Sequence, residues 1–252
     1  MTKQELDKII DIEVNFCSMF SEVILKDYGK IYFNINNKLS WDSNHAIITN
    51  INKKLGRIIE DIEKEFIKRD IIPRIYNSYR YDEEIIAELE KRNWKFEKID
   101  EAFFYIHDEK DEMNNTGEFI KIDQFSRELE DVVLSDPEEG PWVTNTIKIG
   151  LNRNNVKLFG LKQNLRLIGF YMYHNNCGIT RVDNVYVHFE FRNNGFGKLL
   201  INNLIERHYH DYPNDMLYLW TPNPIAKRIY DQSGFKRITM PGKIWNSYLH
   251  IP

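Results

Sequence analysis

The sequence predicts an α/β (α+β) protein in two halves, each a set of strands flanked by helices. Three observations carry that expectation. The first is a strand, a glycine-bearing turn and a helix in direct succession over residues 180–200. Val182, Val185 and Val187 surround Tyr186 in a strand-favouring stretch, Arg-Asn-Asn-Gly-Phe-Gly follows at Arg192–Gly197, and a run of helix formers comes next. The second is an order of helix, strand, helix, aromatic turn and two strands that occurs in both halves, with Leu55–Trp94 paralleling Gly197–Phe235. The third is composition: 252 residues at 42% hydrophobic and 29% charged suit a globular chain with one large domain or two small ones.

Taken in order, Leu6, Ile9, Ile10, Phe16, Cys17, Phe20, Val23 and Ile24 keep mostly helical spacing, so residues 3–25 read as one or two helices ended by Gly29. Ile31–Ile35 alternates as a strand, and His45–Thr49 is a second short one. Leu55, Ile58, Ile59, Ile62, Phe66 and Ile67 mark an amphipathic helix over 54–69. Residues 71–76 are extended around Pro73. Asp82 is a candidate cap for a helix to Asn93, and strands follow at 96–100 and 102–107. The polar stretch 107–117 reads as a linker between domains at 1–108 and 117–252.

The second half opens with a strand at 117–122 and a helix at 126–134, then an acidic loop from Ser135 to Trp142. Strands at 156–162, 166–174 and 179–188 are joined by turns at Gln163-Asn164 and Asn175–Gly178. A strand at 216–220, a helix at 225–232 and a strand to Met240 come next, and Trp245–Ile251 is expected to close this half's sheet.

Composition also excludes. No apolar run approaches the ~20 residues needed to span a bilayer, and the acidic N-terminus lacks the apolar core of a signal peptide. Cys17 and Cys177, one in each half, fit a reduced cytoplasm and have no metal-site spacing. His208 and His210, two apart on a helix, do not share a face. Residues 1–110 hold 18 basic and 22 acidic side chains and 111–252 hold 16 of each, so neither half is a footprint for nucleic acid.

The turn at Arg192–Gly197 is where chemistry enters. The first N–H groups of a helix lack internal partners and carry the positive end of its dipole, which suits an anion. Gly195 and Gly197 have no Cβ, so a phosphate can approach the backbone closely, and Arg192 adds a guanidinium at the edge. The matching stretch of the first half, Asn52–Arg57, has one glycine and no such nest, and Asn93-Trp94 stands where Gly234-Phe235 stands. The first half is therefore expected to hold no pyrophosphate, and to pack against the second or shape a substrate cleft.

Val187, Arg192, Gly195 and Gly197, followed one helix and one strand later by Asn223, Ala226, Tyr230, Gly234 and Phe235, resemble the signature of the GCN5-related N-acetyltransferase (GNAT) superfamily. The likeness covers roughly residues 117–250. It implies a tandem form with two mixed sheets flanked by helices, the N-terminal one degenerate. It implies acetyl-CoA (coenzyme A) as the acyl donor and direct attack by an amine in a ternary complex. The pyrophosphate would lie on the N–H groups of Arg192, Asn193, Asn194, Gly195, Phe196, Gly197 and Lys198, and the pantetheine arm along Val185, Tyr186 and Val187.

By the same resemblance Tyr230 stands where the acid that meets the departing thiolate often stands, and it also fits a core aromatic. Asn223 would hold the pantetheine amides, and reads equally as a helix cap. Asp183 is the candidate base, provided the face it shares with Val185 and Val187 points to the cleft; Glu190 is the alternative, and an edge carboxylate in water is the plainer reading of Asp183. Asp136, Glu138 and Glu139 would suit a cationic acceptor or form a solvated turn. The acceptor is expected to be a small-molecule or peptide amine, with no nucleic acid or membrane as partner and a homodimer left open. The rival readings are a non-catalytic acyl-CoA-binding sensor or module and a transferase using another acyl donor.

Overall fold

The computed structural model describes residues 1–99, 103–107, 117–241 and 244–249. The chain divides into two compact units, one formed by Met1–Glu101 with Met240–Pro252 and the other by Ala102–Thr239.

The first unit opens with α1 (Lys3–Asn15), held at its start by a capping box: the Glu5 N–H donates to Thr2 Oγ1 and the Thr2 N–H to the Glu5 carboxylate. Such a cap contributes about 1 kcal/mol. A 3₁₀ turn at Phe16–Met19 follows, then β1 (Glu22–Lys26), β2 (Gly29–Phe33), β3 (His45–Ile48), α2 (Leu55–Ile67), β4 (Arg74–Tyr76), α3 (Asp82–Lys91) and β5 (Lys95–Ile99). The helical spacing expected through residue 25 thus fails after Met19. Val23 and Ile24 are β-branched, and Glu22–Lys26 pairs antiparallel with Gly29–Phe33 as a hairpin. Asp82 does not cap α3 either: Tyr81 holds that place, and Asp82 Oδ1 accepts the N–H of Ser78 upstream.

The second unit contains β6 (Phe103–His107), β7 (Glu118–Lys121), α4 (Arg127–Leu134), α5 (Gly140–Gly150), β8 (Val156–Gln163), β9 (Arg166–Asn176), β10 (Ile179–Val187), α6 (Phe196–Asp211), β11 (Met216–Thr221), α7 (Pro224–Gln232) and β12 (Lys236–Ile238). Both expected hairpins form, the first with its turn at Asn164 and Leu165, one residue beyond the expected Gln163-Asn164, and the second at Cys177 and Gly178, all four residues at positive φ. The helix α5 is new. Val143, Thr144, Thr146, Ile147 and Ile149 favour strand in isolation, yet Val143 and Ile147 bury one turn apart against α4 and the sheet. Burial of that stripe outweighs a propensity difference of a few tenths of a kcal/mol per residue.

The strand order overturns one expectation. Strand 103–107 does not join the first sheet; β6 lies between β11 and β12 in the second. The final strand, β13 (Ile244–Tyr248), does not close the second sheet; it lies between β4 and β5 in the first. Each sheet therefore takes the strand that follows the other's last one. The sequence repeat hides this, because local pattern shows that a segment is a strand but not which edge it joins. The expected linker at 107–117 lies largely outside the described residues.

With that exchange the two sheets share one plan. In the first, β1, β2 and β3 are antiparallel, β3 and β4 parallel, and β13 and β5 antiparallel beyond. In the second, β8, β9 and β10 are antiparallel, β10 and β11 parallel, and β6 and β12 antiparallel beyond, with β7 added at the far edge. The helix pairs α2/α3 and α6/α7 occupy equivalent places in chain order. Each unit has its own core: Ile58, Ile62 and Phe66 of α2 with Ile31, Ile48 and Ile75 in one, Leu200, Leu204 and Ile205 of α6 with Tyr171, Tyr173 and Val182 in the other.

Candidate functional site

The parallel strands β10 and β11 bond to each other at three positions only: Ile179 with Met216, Thr180 with Leu217 and Arg181 with Tyr218. From Val182 onward β10 keeps its antiparallel partner β9, while Leu219–Thr221 of β11 keep β6. The two strands part, and among the described residues the edge of β10 that faces β11 up to Arg181 has no strand along it over Val185–Val187. A bulge begins the divergence: Val182 pairs with Tyr173 and Asn184 with Met172, leaving Asp183 as the extra residue. A bulge bends its strand and resets alternation. Val182, Val185 and Val187 consequently share the α6 face, while Tyr186 stacks on Phe170 beneath α4 and α5 at 5.4 Å.

At the end of β10 a 3₁₀ turn over Phe189–Phe191 leads into the glycine loop. Asn193 has φ 64° and Gly195 φ 82°, and α6 starts at Phe196. A left-handed residue followed by a right-handed one aims consecutive N–H groups into one concavity. The first bond from within the helix is Leu199 N–H to Gly195 C=O, so the N–H groups of Phe196, Gly197 and Lys198 lie ahead of the ladder, and no side chain caps them.

The two glycines do different work. A Cβ on Gly195 would meet nothing within 4 Å, so the space above the loop is open and the glycine is required by its positive φ. A Cβ on Gly197 would lie 3.0 Å from Ile229 Cδ1, so that glycine lets α6 approach α7. Of the two expected to serve close phosphate approach, Gly195 faces open space and Gly197 faces Ile229. Arg192 joins the loop to the strand: its Nε donates to the Val187 carbonyl at 3.0 Å and its Nη2 lies 3.5 Å from Asp136 Oδ2.

Asp136 and Glu139 are also committed. Asp136 Oδ1 accepts the N–H groups of Glu138 and Glu139, and Glu139 Oε2 accepts the Tyr186 hydroxyl at 3.1 Å. The acidic loop is thereby fastened to both ends of the β10–α6 junction. Nothing in the sequence pattern signalled the Tyr186–Glu139 contact, which spans 47 positions and depends on α5 being a helix.

Asp183 is held on both oxygens. Arg181 Nη1 donates to Oδ1 at 2.8 Å and Asn184 Nδ2 to Oδ2 at 2.9 Å. Arg181 is buried, so this pair neutralises a charge inside the unit. Glu190, the alternative, pairs with Arg166 at 3.0 Å.

Tyr230 lies on α7, 7% exposed, with its ring against Tyr105 and Phe235. Burial raises its pKa well above the ordinary tyrosine value, so the phenol stays protonated through the neutral and alkaline range. Asn223 caps α7, its Oδ1 accepting the N–H groups of Ile225 and Ala226 at 2.8 and 3.3 Å. Its amide nitrogen is not used in that cap. Gly234 (φ 80°) ends α7, and the Phe235 N–H returns to the Tyr230 carbonyl. Among the described residues no group of His, Cys, Asp and Glu could hold a metal ion, and no helix is long and apolar enough to cross a membrane.

The chain is similar to known proteins. A family model described as an acetyltransferase (GNAT) domain matches residues 154–237, which span β8 to β12. No curated protein sequence matches. Among solved structures, a GCN5-related N-acetyltransferase from Kribbella flavida is similar with a TM-score of 0.64 at 11% identity, covering 96% of this chain and 94% of that one. A functionally unknown conserved protein from Staphylococcus epidermidis gives 0.63 at 14% identity, covering 91% and 94%. A tandem GNAT protein from the clavulanic acid biosynthesis pathway gives 0.57 at 12%, covering 81% and 74%. These likenesses agree in fold, and residues 154–237 match the GNAT acetyltransferase domain model.

Proposed function

We propose that the second unit is an acetyl-CoA-dependent N-acetyltransferase that moves an acetyl group to an amine by direct attack within a ternary complex. The observation that carries this reading is the coincidence, at one end of β10, of a strand edge with no neighbouring strand among the described residues, a helix N-terminus without a side-chain cap and open space over Gly195. A pyrophosphate needs the second and third, and an extended amide-bearing chain needs the first. Coenzyme A, when bound, would supply the thioester as an activated acyl group.

The chain's own residues would then act as follows. The N–H groups of Phe196, Gly197 and Lys198 hold the diphosphate, with Arg192 and the loop Asn193–Gly195 shaping the approach. The backbone of Val185, Tyr186 and Val187 orients the pantetheine amides as an added strand would, and a β10 N–H near Val187 polarises the thioester carbonyl. The Asn223 amide nitrogen completes that grip. Tyr230, protonated and buried, hands its proton to the departing sulfur.

A dedicated base does not emerge from Asp183, whose two oxygens are engaged. Loss of the amine proton to solvent before attack is the simpler step, and Asp183 supports the bulge that opens the strand edge. The first unit, built on the same strand order without the glycine loop, is a degenerate GNAT-like domain in this reading.

Tyr230→Phe in the full chain tests the assignment. The expected result is coenzyme A release cut by about 10²-fold with acetyl-CoA binding retained. Absence of any wild-type release across a panel of amines, with acetyl-CoA still bound, would leave a sensor instead.

A further inference from the structure

The first unit carries a buried arginine whose hydrogen-bond donors are not all met among the described residues. Arg74, on β4, is 4% exposed, and its Nε and Nη1 are buried without a hydrogen-bond partner. A buried guanidinium N–H with no acceptor forfeits its hydrogen bond to water without replacement, so such a group ordinarily has a partner. The sheet places it deliberately. Ile75, Ala46 and Trp245 point into the core with α2 and α3, so Arg74 and Tyr76 of β4, His45 of β3, and Asn246 and Tyr248 of β13 share the opposite face. Within that face Tyr248 pairs directly with Arg74, and Asn246 with Tyr76.

The walls are aromatic. The Arg74 guanidinium lies over the Trp41 ring at 4.8 Å, and the Trp41 and Tyr248 rings are 5.4 Å apart, both half-buried. His45 stacks on Tyr76 at 4.0 Å, and the Tyr76 hydroxyl donates to Asp42. Asn246 Oδ1 is a further buried polar atom on this face without a partner among the described residues.

We propose that this face of the first unit binds a small-molecule carboxylate, with Arg74 as its cation and Trp41 and Tyr248 as its walls. A monoanion matches what is there. The guanidinium supplies one positive charge in a planar fork that suits a carboxylate. Burial holds His45 neutral, with its pKa depressed to about 3, so it adds no second charge. No glycine loop stands nearby as it does at Gly195, and Glu97 and Asp42 place negative charge around the site. A phosphate dianion would be under-neutralised.

The test is thermal unfolding of the full chain in sodium acetate, sodium benzoate or inorganic phosphate, each balanced with sodium chloride to constant ionic strength, with coenzyme A present throughout to saturate the other site. Acetate or benzoate is expected to raise the wild-type melting temperature saturably by about 3–5 °C at tenfold excess over Kd, and to leave Arg74→Met unmoved. An equal rise in Arg74→Met, a rise with phosphate alone, or no rise with any anion at 50 mM would overturn the proposal. If Arg74→Met does not fold, titration of [1-13C]acetate against the wild-type chain by NMR decides: saturable broadening relieved by benzoate supports the site, and an unchanged line overturns it.

Discussion

Leu89 holds in the first unit the place that Tyr230 holds in the second. Each carbonyl accepts the N–H of an aromatic residue five positions on: Trp94 to Leu89 at 3.1 Å, and Phe235 to Tyr230 at 3.2 Å. Between them stands a left-handed residue, Asn93 (φ 60°) or Gly234 (φ 80°). The same helix ending thus closes α3 and α7, and both aromatics bury in their cores. Asn93-Trp94 is a conservative version of Gly234-Phe235, since asparagine tolerates the left-handed region. The phenol, however, is present only in the second unit. Leu89→Tyr is expected to add no acetyl transfer to a Tyr230→Phe chain, because α2 begins at Leu55 behind Lys54 with no left-handed glycine. Recovery of coenzyme A release in that double variant would show a second competent site.

The two loop glycines should separate in mutation. Gly195→Asn keeps a residue that tolerates positive φ, so stability should fall by less than about 1 kcal/mol. Its side chain would enter the open space over the loop, and acetyl-CoA affinity measured by calorimetry should drop at least tenfold. Gly195→Glu should abolish binding by crowding and charge. Gly197→Ala should be nearly neutral in stability. The helix gains up to about 1 kcal/mol, offset by a contact with the flexible end of Ile229. Affinity unchanged in Gly195→Glu would remove the pyrophosphate site.

Acid should unfold the chain early. Burial depresses His45 and His174 to a pKa of about 3 and His208 to about 4, the neighbouring Arg181 adding to the effect on His174. A histidine with a folded pKa below its unfolded value contributes stability above about pH 6.5 and loses it as pH falls towards the folded pKa. Each can cost up to about 1.4 kcal/mol per pH unit within that window. Two of the three lie in the second unit, so urea midpoints at pH 7 and pH 5 should differ more there. Equal midpoints at the two pH values would contradict the buried neutral imidazoles.

Removing residues 241–252 should unfold the first unit, not the second. β13 is an interior strand between β4 and β5, and its Trp245 is 2% exposed in that core. Loss of its ladders exposes both neighbouring edges. Hydrogen exchange should show α2 and α3 unprotected and α6 protected; the reverse pattern would refute the strand order.

Much of the candidate site was legible because its signals are local. The spacing of Arg192, Gly195 and Gly197 encodes a strand, a left-handed turn and a helix start within a dozen residues, and that is how the backbone runs. The segment Asn223 to Phe235 likewise encodes a capped helix with a left-handed ending. Elements with strong periodicity, such as α2, were visible for the same reason.

What the sequence by itself determined is therefore most of the helices and strands outside β1 and α5, and the glycine loop, each set by dihedral preference and apolar spacing over short range. Only the tertiary structure decided that β6 and β13 exchange sheets, that α5 is a helix despite its β-branched residues, and that Asp183 is spent on Arg181. Strand pairing, burial and ion pairing join residues tens or hundreds of positions apart. Several arrangements satisfy the same local pattern, and the free energy of packing chooses among them.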